Sequence, residues 1–242
     1  MRGSTAVEFP PRDAIFQAQI GDHRGFRAAR RARPATARCP GPDTISAPEV
    51  LFDALHHARE VIGTETVLGL IRHLCESYAT DADALRLLDE REIYCVPIVN
   101  PDGVLFNEAN YPGGGGMWRK NRRVNGGGYY GVDLNRNYPY EWVGPGSSSD
   151  PSAETYRGPS AGSEPEAQAL MAFHAAHDFQ TYQSYHSYSN LTLIPWGFTS
   201  VPCPDDAVFR NVAAELTADN GYAAGSAPEL LYVVNGSSVD WA

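Results

Sequence analysis

Residues 51–60, LFDALHHARE, join an apolar run to two histidines, an arginine and a glutamate. The apolar run predicts a buried strand that ends where these polar side chains begin. His57 and Glu60 are three residues apart, so a helical turn here would put both side chains on one face, within reach of one ion. The alternative interpretation is a solvated helix start with Glu60 near its N-terminus. Because a catalytic zinc ion takes three protein ligands, the pair predicts part of a site whose third ligand lies elsewhere.

The composition predicts one globular domain. The chain has 242 residues, of which 43% are hydrophobic and 20% charged, which is enough to bury a substantial core. Its net charge of −10 argues against nucleic acid or an anionic membrane as a general partner. No apolar run reaches the length of about 18 residues that a membrane span needs. Residues 1–16 lack the apolar core of a secretory signal, so the sequence predicts no signal peptide in this chain and leaves its compartment open.

Residues 22–47 differ from the rest of the chain in their charge. Residues 1–47 contain eight arginines and four acidic residues, although the chain as a whole is acidic. One interpretation is a basic arm for an acidic partner, and the other is a flexible or mistranslated stretch. We therefore separate an atypical arginine-rich segment, residues 1–47, from a folded domain expected at residues 48–242.

The hydrophobic pattern after residue 60 alternates helices and strands. It predicts helices over residues 64–78 and 82–89, then an apolar strand that closes in a turn at residues 100–103. A capping box at residues 163–166 predicts another helix, and the strand TYQSYHSYS follows it and continues through LTLIPWG. Asp205 or Asp206 then caps a further helix. This order of elements indicates an α/β domain.

Three groups of polar residues stand out along this pattern. The basic cluster at residues 118–123 contains Arg119 and is either a solvated face or the source of one arginine for a carboxylate or oxyanion site. Asp133, Asn135 and Arg136 crowd into GVDLNRNY at residues 131–138, which suggests the wall of a site. His186 lies on a predicted strand, where a lone histidine is more often part of the core than a ligand.

Seven motifs carry a resemblance to a known family. They are HAREV, VNPDG, WRKNR, GVDLNRNY, ETYRG, YHSYS and LYVVNGSSVDW, in this order. From about residue 50 onward the sequence resembles the zinc metallocarboxypeptidases of the carboxypeptidase A and T type, in particular the bacterial T-like branch. The resemblance implies a mixed, mostly parallel central sheet flanked by helices, and one zinc ion. It also implies a monomer that acts on a peptide or protein C-terminus, with no nucleic-acid or membrane partner, in a family that is usually secreted or periplasmic.

The resemblance also implies roles for individual residues. It assigns zinc to His57, Glu60 and His186, and it makes Asp133 the carboxylate that orients the first histidine. Arg119 matches the catalytic arginine that polarises the scissile carbonyl and stabilises the oxyanion. The implied substrate-binding residues are Asn135, Arg136 and Tyr232 for the terminal carboxylate, Arg59 and Tyr188 for secondary contacts, and Val239 for the specificity pocket. An apolar residue in that pocket favours an apolar or aromatic terminal side chain.

One departure from the family leaves the function open. The family's general-base glutamate lies on a strand beyond the motif that contains Asp240 and Trp241, and no residue of this chain matches it. We therefore expect a C-terminally truncated domain that lacks the last strand and helix. Three hypotheses follow: a zinc carboxypeptidase by ancestry that needs the missing base, a catalytically silent module that binds zinc or a peptide carboxylate, and a zinc deacylase for small amides.

Overall fold

The computed structural model describes residues 14–20, for which it gives the backbone, and residues 47–242. The arginine-rich stretch, apart from its last residue, lies outside the described part, so both interpretations of it stay predictions. The strands are β1 Ala14–Ile20, β2 Glu49–Ala54, β3 Glu92–Val96, β4 Val124–Gly126, β5 Tyr129–Tyr130, β6 Phe179–Ser187, β7 Leu191–Ile194 and β8 Ala223–Ser226. The α-helices are α1 Ile62–Ser77, α2 Ala82–Glu90, α3 Pro101–Asn110, α4 Pro165–Ala175, α5 Asp206–Thr217, α6 Ala227–Leu230 and α7 Ser238–Trp241.

Six strands form one sheet in the order β3-β2-β6-β1-β7-β8, and β4 pairs with β5 separately. Neighbours in the large sheet are parallel except for β1 and β7. Helices α1 and α5 pack against the sheet. The predicted mixed, mostly parallel sheet with flanking helices is therefore confirmed. The expectation that LTLIPWG continues β6 is wrong, because β7 is a separate strand and β1 lies between the two.

Strand β6 carries polar residues into the interior. It has β2 on one side and β1 on the other, and in its second half the buried residues alternate: Tyr182, Ser184 and His186. Asp53 on β2 lies opposite Ser184 in the parallel register. Side chains alternate between the two faces of a strand, so Asp53, Ser184 and His186 share one face of the sheet.

The chain leaves β2 through a tight turn rather than a helix. Helix α1 begins at Ile62, two residues after Glu60, so His57 and Glu60 precede the helix. The backbone N–H of Glu60 donates to the carbonyl of His57 at 3.0 Å. This bond closes a turn with three-residue spacing, which brings the two side chains together as a helix would.

Two predicted helix boundaries also need correction. Residues 100–103 do not form a free turn but begin α3, since the Asn100 side chain accepts a hydrogen bond from the N–H of Gly103 and Pro101 occupies the first turn. The residue that caps α4 is Glu164, not Ser163. The Ser163 hydroxyl instead donates to the Glu164 carboxylate at 2.6 Å, so it does not reach the helix backbone.

The main core lies between the sheet and α4. Its buried members are Leu51, Val99, Leu134, Tyr138, Ala167, Leu170, Tyr182 and Val239. Residues from β2, β6, α4 and α7 meet in this cluster, so it packs the two helices against the middle of two neighbouring strands. Among the residues that the structure describes, no helix has the length and apolar character to cross a membrane.

Candidate metal centre

Three buried side chains converge at the carboxyl ends of β2 and β6. His57 Nδ1 lies 2.8 Å from Glu60 Oε1, and His186 Nδ1 lies 2.8 Å from Glu60 Oε2. The two histidine Nδ1 atoms are 3.0 Å apart. Within residues 14–20 and 47–242 this is the one group of three or more His, Cys, Asp or Glu side chains that could hold a metal ion. The structure therefore brings together the three ligands that the resemblance assigns.

The donor set fits zinc. Two imidazole nitrogens that face each other at 3.0 Å repel unless a proton or a cation lies between them. Zinc takes nitrogen donors from histidine and an oxygen donor from glutamate, and a catalytic site keeps a fourth position free for water or substrate. His57, Glu60 and His186 supply these three donors.

The topology of the sheet explains why these residues meet. In open α/β sheets, ligands bind at the carboxyl ends of parallel strands. The turn after β2 supplies His57 and Glu60, and the penultimate residue of β6 is His186. Because β2 and β6 are parallel neighbours, residues far apart in sequence arrive at the same edge.

Asp133 lies behind His57 and connects it to an arginine. Its Oδ1 is 3.1 Å from His57 Nε2, and its Oδ2 accepts hydrogen bonds from Arg119 Nε at 3.1 Å and Nη2 at 2.8 Å. Burial raises the pKa of Asp133, but Arg119, His57 and Arg136 outweigh burial and hold it well below its usual range. Asp133 is therefore an ionised, fully buried carboxylate that fixes the orientation of His57.

Glu60 is likewise ionised. Burial raises its pKa, but the adjacent His57 and His186 outweigh burial and hold it well below the ordinary value. Burial lowers the pKa of His186, with Glu60 opposing this effect. An ionised carboxylate and a neutral imidazole are the protonation states in which these groups bind a metal.

Asn135 and Arg136 lie close to Asp133 and are buried. Arg136 Nη1 is 3.9 Å from Asp133 Oδ2, while its Nε donates to the carbonyl of Gly146 at 2.8 Å. The Asn135 side-chain oxygen accepts from the N–H of Ser238 at 2.9 Å. Both residues thus brace loops in addition to standing beside the metal group.

The other predicted substrate residues occupy different environments. Tyr188 is 82% exposed and Tyr232 is 55% exposed, so both side chains can meet a ligand from solvent. Arg59 Nη1 donates to Glu154 Oε2 at 3.2 Å in a partly exposed ion pair. Val239 is 7% exposed and packs in the main core cluster, so its side chain contacts other core residues rather than an open pocket.

An apolar cavity of about 530 Å³ lies elsewhere, between the end of β3 and α4. Its lining includes Val96, Leu170 and Phe173, but none of the metal group. This cavity contains no group of metal donors, whereas the converging donors lie at the edge of the sheet.

Sequence reasoning missed a polar network behind the second histidine. Asp53, His56 and Ser184 are completely buried beside His186. Two signals could have found it: an aspartate inside the apolar run of residues 51–55, and a serine two positions before His186 on the same face of a strand.

A mostly parallel α/β sheet with a His–Glu–His donor group at its carboxyl edge defines a protein with a single-ion metal centre. The family model described as zinc carboxypeptidase matches residues 27–242. The chain therefore belongs to the zinc carboxypeptidase family. The match begins inside the segment set apart at residues 1–47, so the domain boundary at residue 48 stays a prediction.

Curated relatives agree with this family. The chain is 40% identical over 207 residues to a metallocarboxypeptidase A-like protein of Trichophyton verrucosum, covering 81% of this chain and 47% of that protein. It is 34% identical over 203 residues to carboxypeptidase A2 of Mus musculus, with 81% and 48% covered. The crystal structure of carboxypeptidase A from Helicoverpa armigera matches with 27% identity and a TM-score of 0.72, covering 80% of this chain and 48% of that one.

The chain thus spans about half the length of the curated relatives it matches. The bacterial T-like branch suggested by the motifs stays a prediction.

Proposed function

We propose that this chain carries the zinc centre of a metallocarboxypeptidase, which hydrolyses the peptide bond before the C-terminal residue of a peptide or protein. The observation that carries the proposal is the convergence of His57, Glu60 and His186, backed by Asp133 and Arg119. In this proposal one zinc ion binds the three ligands, Asp133 orients His57, and the chain acts as a monomer. When bound, zinc polarises a carbonyl group and lowers the pKa of a water molecule.

In this proposal the guanidinium of Arg119 acts on the reacting carbonyl. Two of its nitrogens are fixed by Asp133, and the third, Nη1, lies 3.6 Å from Glu60 Oε1. This nitrogen therefore points toward the donor group, where negative charge develops on the carbonyl oxygen during hydrolysis. A fixed donor in a buried site stabilises such an oxyanion more than a mobile one in water does.

The charge of the site favours an anionic ligand. The ionised carboxylates of Glu60 and Asp133 are balanced by the guanidinium groups of Arg119 and Arg136, so a divalent cation would leave the cluster with a net charge of about +2. A peptide C-terminus carries the complementary charge. We propose that Asn135, Arg136 and the exposed Tyr232 hold it, as the family resemblance suggests.

The remaining predicted substrate residues bear on specificity. Arg59 and Tyr188 would contact the substrate farther from the scissile bond, and Val239 would favour an apolar or aromatic terminal residue. Because Val239 packs in the core, its contact with a substrate side chain would require the surrounding cluster to open.

A silent binding module is the second candidate, and one observation favours it. Both carboxylates that touch the donor group are already engaged: Glu60 faces both histidines, and Asp133 bonds to His57 and Arg119. Neither is free to take a proton from water, as hydrolysis requires. A module of this kind would bind zinc and a peptide carboxylate without turnover.

One experiment distinguishes the peptidase from the silent module. We would measure zinc content and the release of C-terminal phenylalanine from a short blocked peptide, with and without a chelator. The His186→Ala variant should lose the zinc, while His73→Ala, which removes an exposed histidine on α1, should retain it. Zinc with chelator-sensitive release supports the peptidase, zinc without release supports the module, and no zinc in the wild-type chain refutes both.

A further inference from the structure

Both histidines of the metal centre direct Nδ1 toward it. The Nε2 atom of each ring then needs its own hydrogen-bond partner. His57 has its partner in Asp133, 3.1 Å from Nε2. His186 Nε2 points in a different direction, into the interior, where the hydroxyl oxygen of Ser184 lies 3.4 Å away. Both Ser184 and His186 are buried, so no bulk water competes for this contact.

The position of the ring proton decides whether His186 can bind a metal. A metal ligand nitrogen must be unprotonated, so the single proton of the neutral ring must be on Nε2. Without a cation, Glu60 Oε2 at 2.8 Å from Nδ1 favours the opposite tautomer. An acceptor at Nε2 therefore lowers the free energy of the tautomer that binds, and Ser184 Oγ is in the position to be that acceptor.

A serine that accepts one hydrogen bond still has its own proton to donate. His56 Nδ1 lies 3.4 Å from Ser184 Oγ on the far side, and His56 Nε2 lies 2.9 Å from the Tyr138 hydroxyl. Ser184 can therefore accept from His186 and still have a buried neighbour, His56 or Asp53, for its own proton.

Asp53 is a second buried group that favours a Ser184 oxygen free to accept from His186. Its Oδ2 accepts a 2.6 Å hydrogen bond from Tyr182, but its Oδ1 is buried without a hydrogen-bond partner among the described residues. That oxygen lies 3.6 Å from His56 Nδ1, beside Ser184. An unpaired carboxylate oxygen repels the oxygen of a neighbouring hydroxyl group and attracts its proton. It therefore favours arrangements in which hydroxyl protons point toward Asp53.

We propose that Ser184 is a positioning residue of the metal centre, whose hydroxyl accepts the Nε2 proton of His186 and so presents Nδ1 of His186 to the metal. This inference rests on the proposed zinc site. Ser184 does not touch substrate or metal, and its effect passes through the imidazole ring. Ser184 would accept the Nε2 proton of His186 as Asp133 accepts that of His57, but Ser184 is a neutral acceptor.

The test compares three variants by competition for zinc with a chromogenic chelator. Ser184→Ala should weaken zinc binding by about tenfold, the lower end of what outer-sphere partners contribute. Ser184→Thr keeps the hydroxyl and should lie closer to wild type. Ser147→Ala is the matched control, because Ser147 is also buried and donates to the carbonyl of Trp142 at 2.9 Å, away from the histidines.

A second measurement separates positioning from packing. In the zinc-loaded protein, the ring N–H proton of His186 should show the low-field NMR shift of a hydrogen-bonded imidazole, and the signal should move upfield in Ser184→Ala. Equal zinc affinity and an unchanged shift in Ser184→Ala would overturn the inference, as would an equal loss of affinity in Ser147→Ala. Zinc absent from the wild-type chain would overturn the zinc site as well, whereas zinc bound without peptide release leaves this test intact.

Discussion

Asp53 is a fully enclosed carboxyl group at the end of β2, and replacing it with asparagine should change how stability depends on pH. Burial raises the pKa of Asp53 from 3.8 to about 7, although the hydroxyl groups of Ser184 and Tyr182 oppose the rise. The native state therefore holds this proton more tightly than the unfolded chain does. Stability from this group is fully present below pH 3.8, falls as the pH rises toward 7, and is lost above it.

The size of the effect follows from the two pKa values. Each unit of difference corresponds to about 1.4 kcal/mol, so the shift from 3.8 to about 7 amounts to about 4 kcal/mol of lost stability. By the same linkage relation, about 2 kcal/mol of this loss falls between pH values of about 5.5 and 8. The amide introduced by Asp53→Asn would be neutral at every pH, so the variant would lack this loss.

The assay is urea unfolding of chelator-treated protein at these two pH values. The free energy of unfolding of Asp53→Asn should fall by about 2 kcal/mol less than that of wild type over the interval. Any pH-independent change in the free energy of unfolding caused by the new amide cancels, because each protein is compared with itself at the two pH values. Asp219→Asn, which replaces an exposed aspartate, is the control and should follow wild type. If Asp53→Asn and wild type lose stability in parallel, the carboxyl group is already ionised in the folded state and the reasoning fails.

Two further substitutions test the packing around the metal turn. Arg119→Ala removes both hydrogen bonds to Asp133 Oδ2 and leaves a buried carboxylate poorly compensated. Urea unfolding should therefore show a free energy of unfolding lower by about 3–5 kcal/mol. A decrease below about 1 kcal/mol would contradict the ion pair. Gly103→Ala would place a Cβ atom 2.6 Å from the Lys120 carbonyl and 2.7 Å from Ala58 Cβ, so it should cost about 1–3 kcal/mol. Gly69→Ala, in α1, would bring the new Cβ within 4 Å of no atom beyond its chain neighbours and the local helix backbone, so it should instead stabilise by about 0.5–1 kcal/mol. Equal stability of the two alanine variants would refute the close approach at Gly103.

The fold class could be predicted because its signals are local. The hydrophobic periods of strands and helices can be recognised within consecutive residues. The alternation of strands with helices along the chain indicates a parallel sheet. The placement of β1 between β6 and β7 could not be predicted, because strand order depends on pairing between segments far apart in the chain. Only three residues separate β6 from β7, and this short link favoured the mistaken expectation of one continuous strand.

The candidate metal group and Asp133 behind His57 could be predicted from motifs, while the groups behind His186 could not. His57 and Glu60 are close in sequence, but the third ligand, His186, was ambiguous until the seven motifs were considered together. Ser184 and Asp53 carry no motif, and their significance arises from the register that sets β2 beside β6. The turn that joins His57 to Glu60 escaped prediction, because a turn and the first turn of a helix share the same three-residue spacing.

The three buried acids around the metal centre bear on whether the chain can complete hydrolysis. Glu60 and Asp133 are ionised but occupied by histidine and arginine partners. Asp53 has an unpaired oxygen, yet it is fully buried behind His56 and cannot meet a substrate. None of these three acids is therefore both unoccupied and accessible to a substrate water. Chelator-sensitive peptide release would therefore require a basic group outside these three acids, and zinc binding without release would favour the silent module.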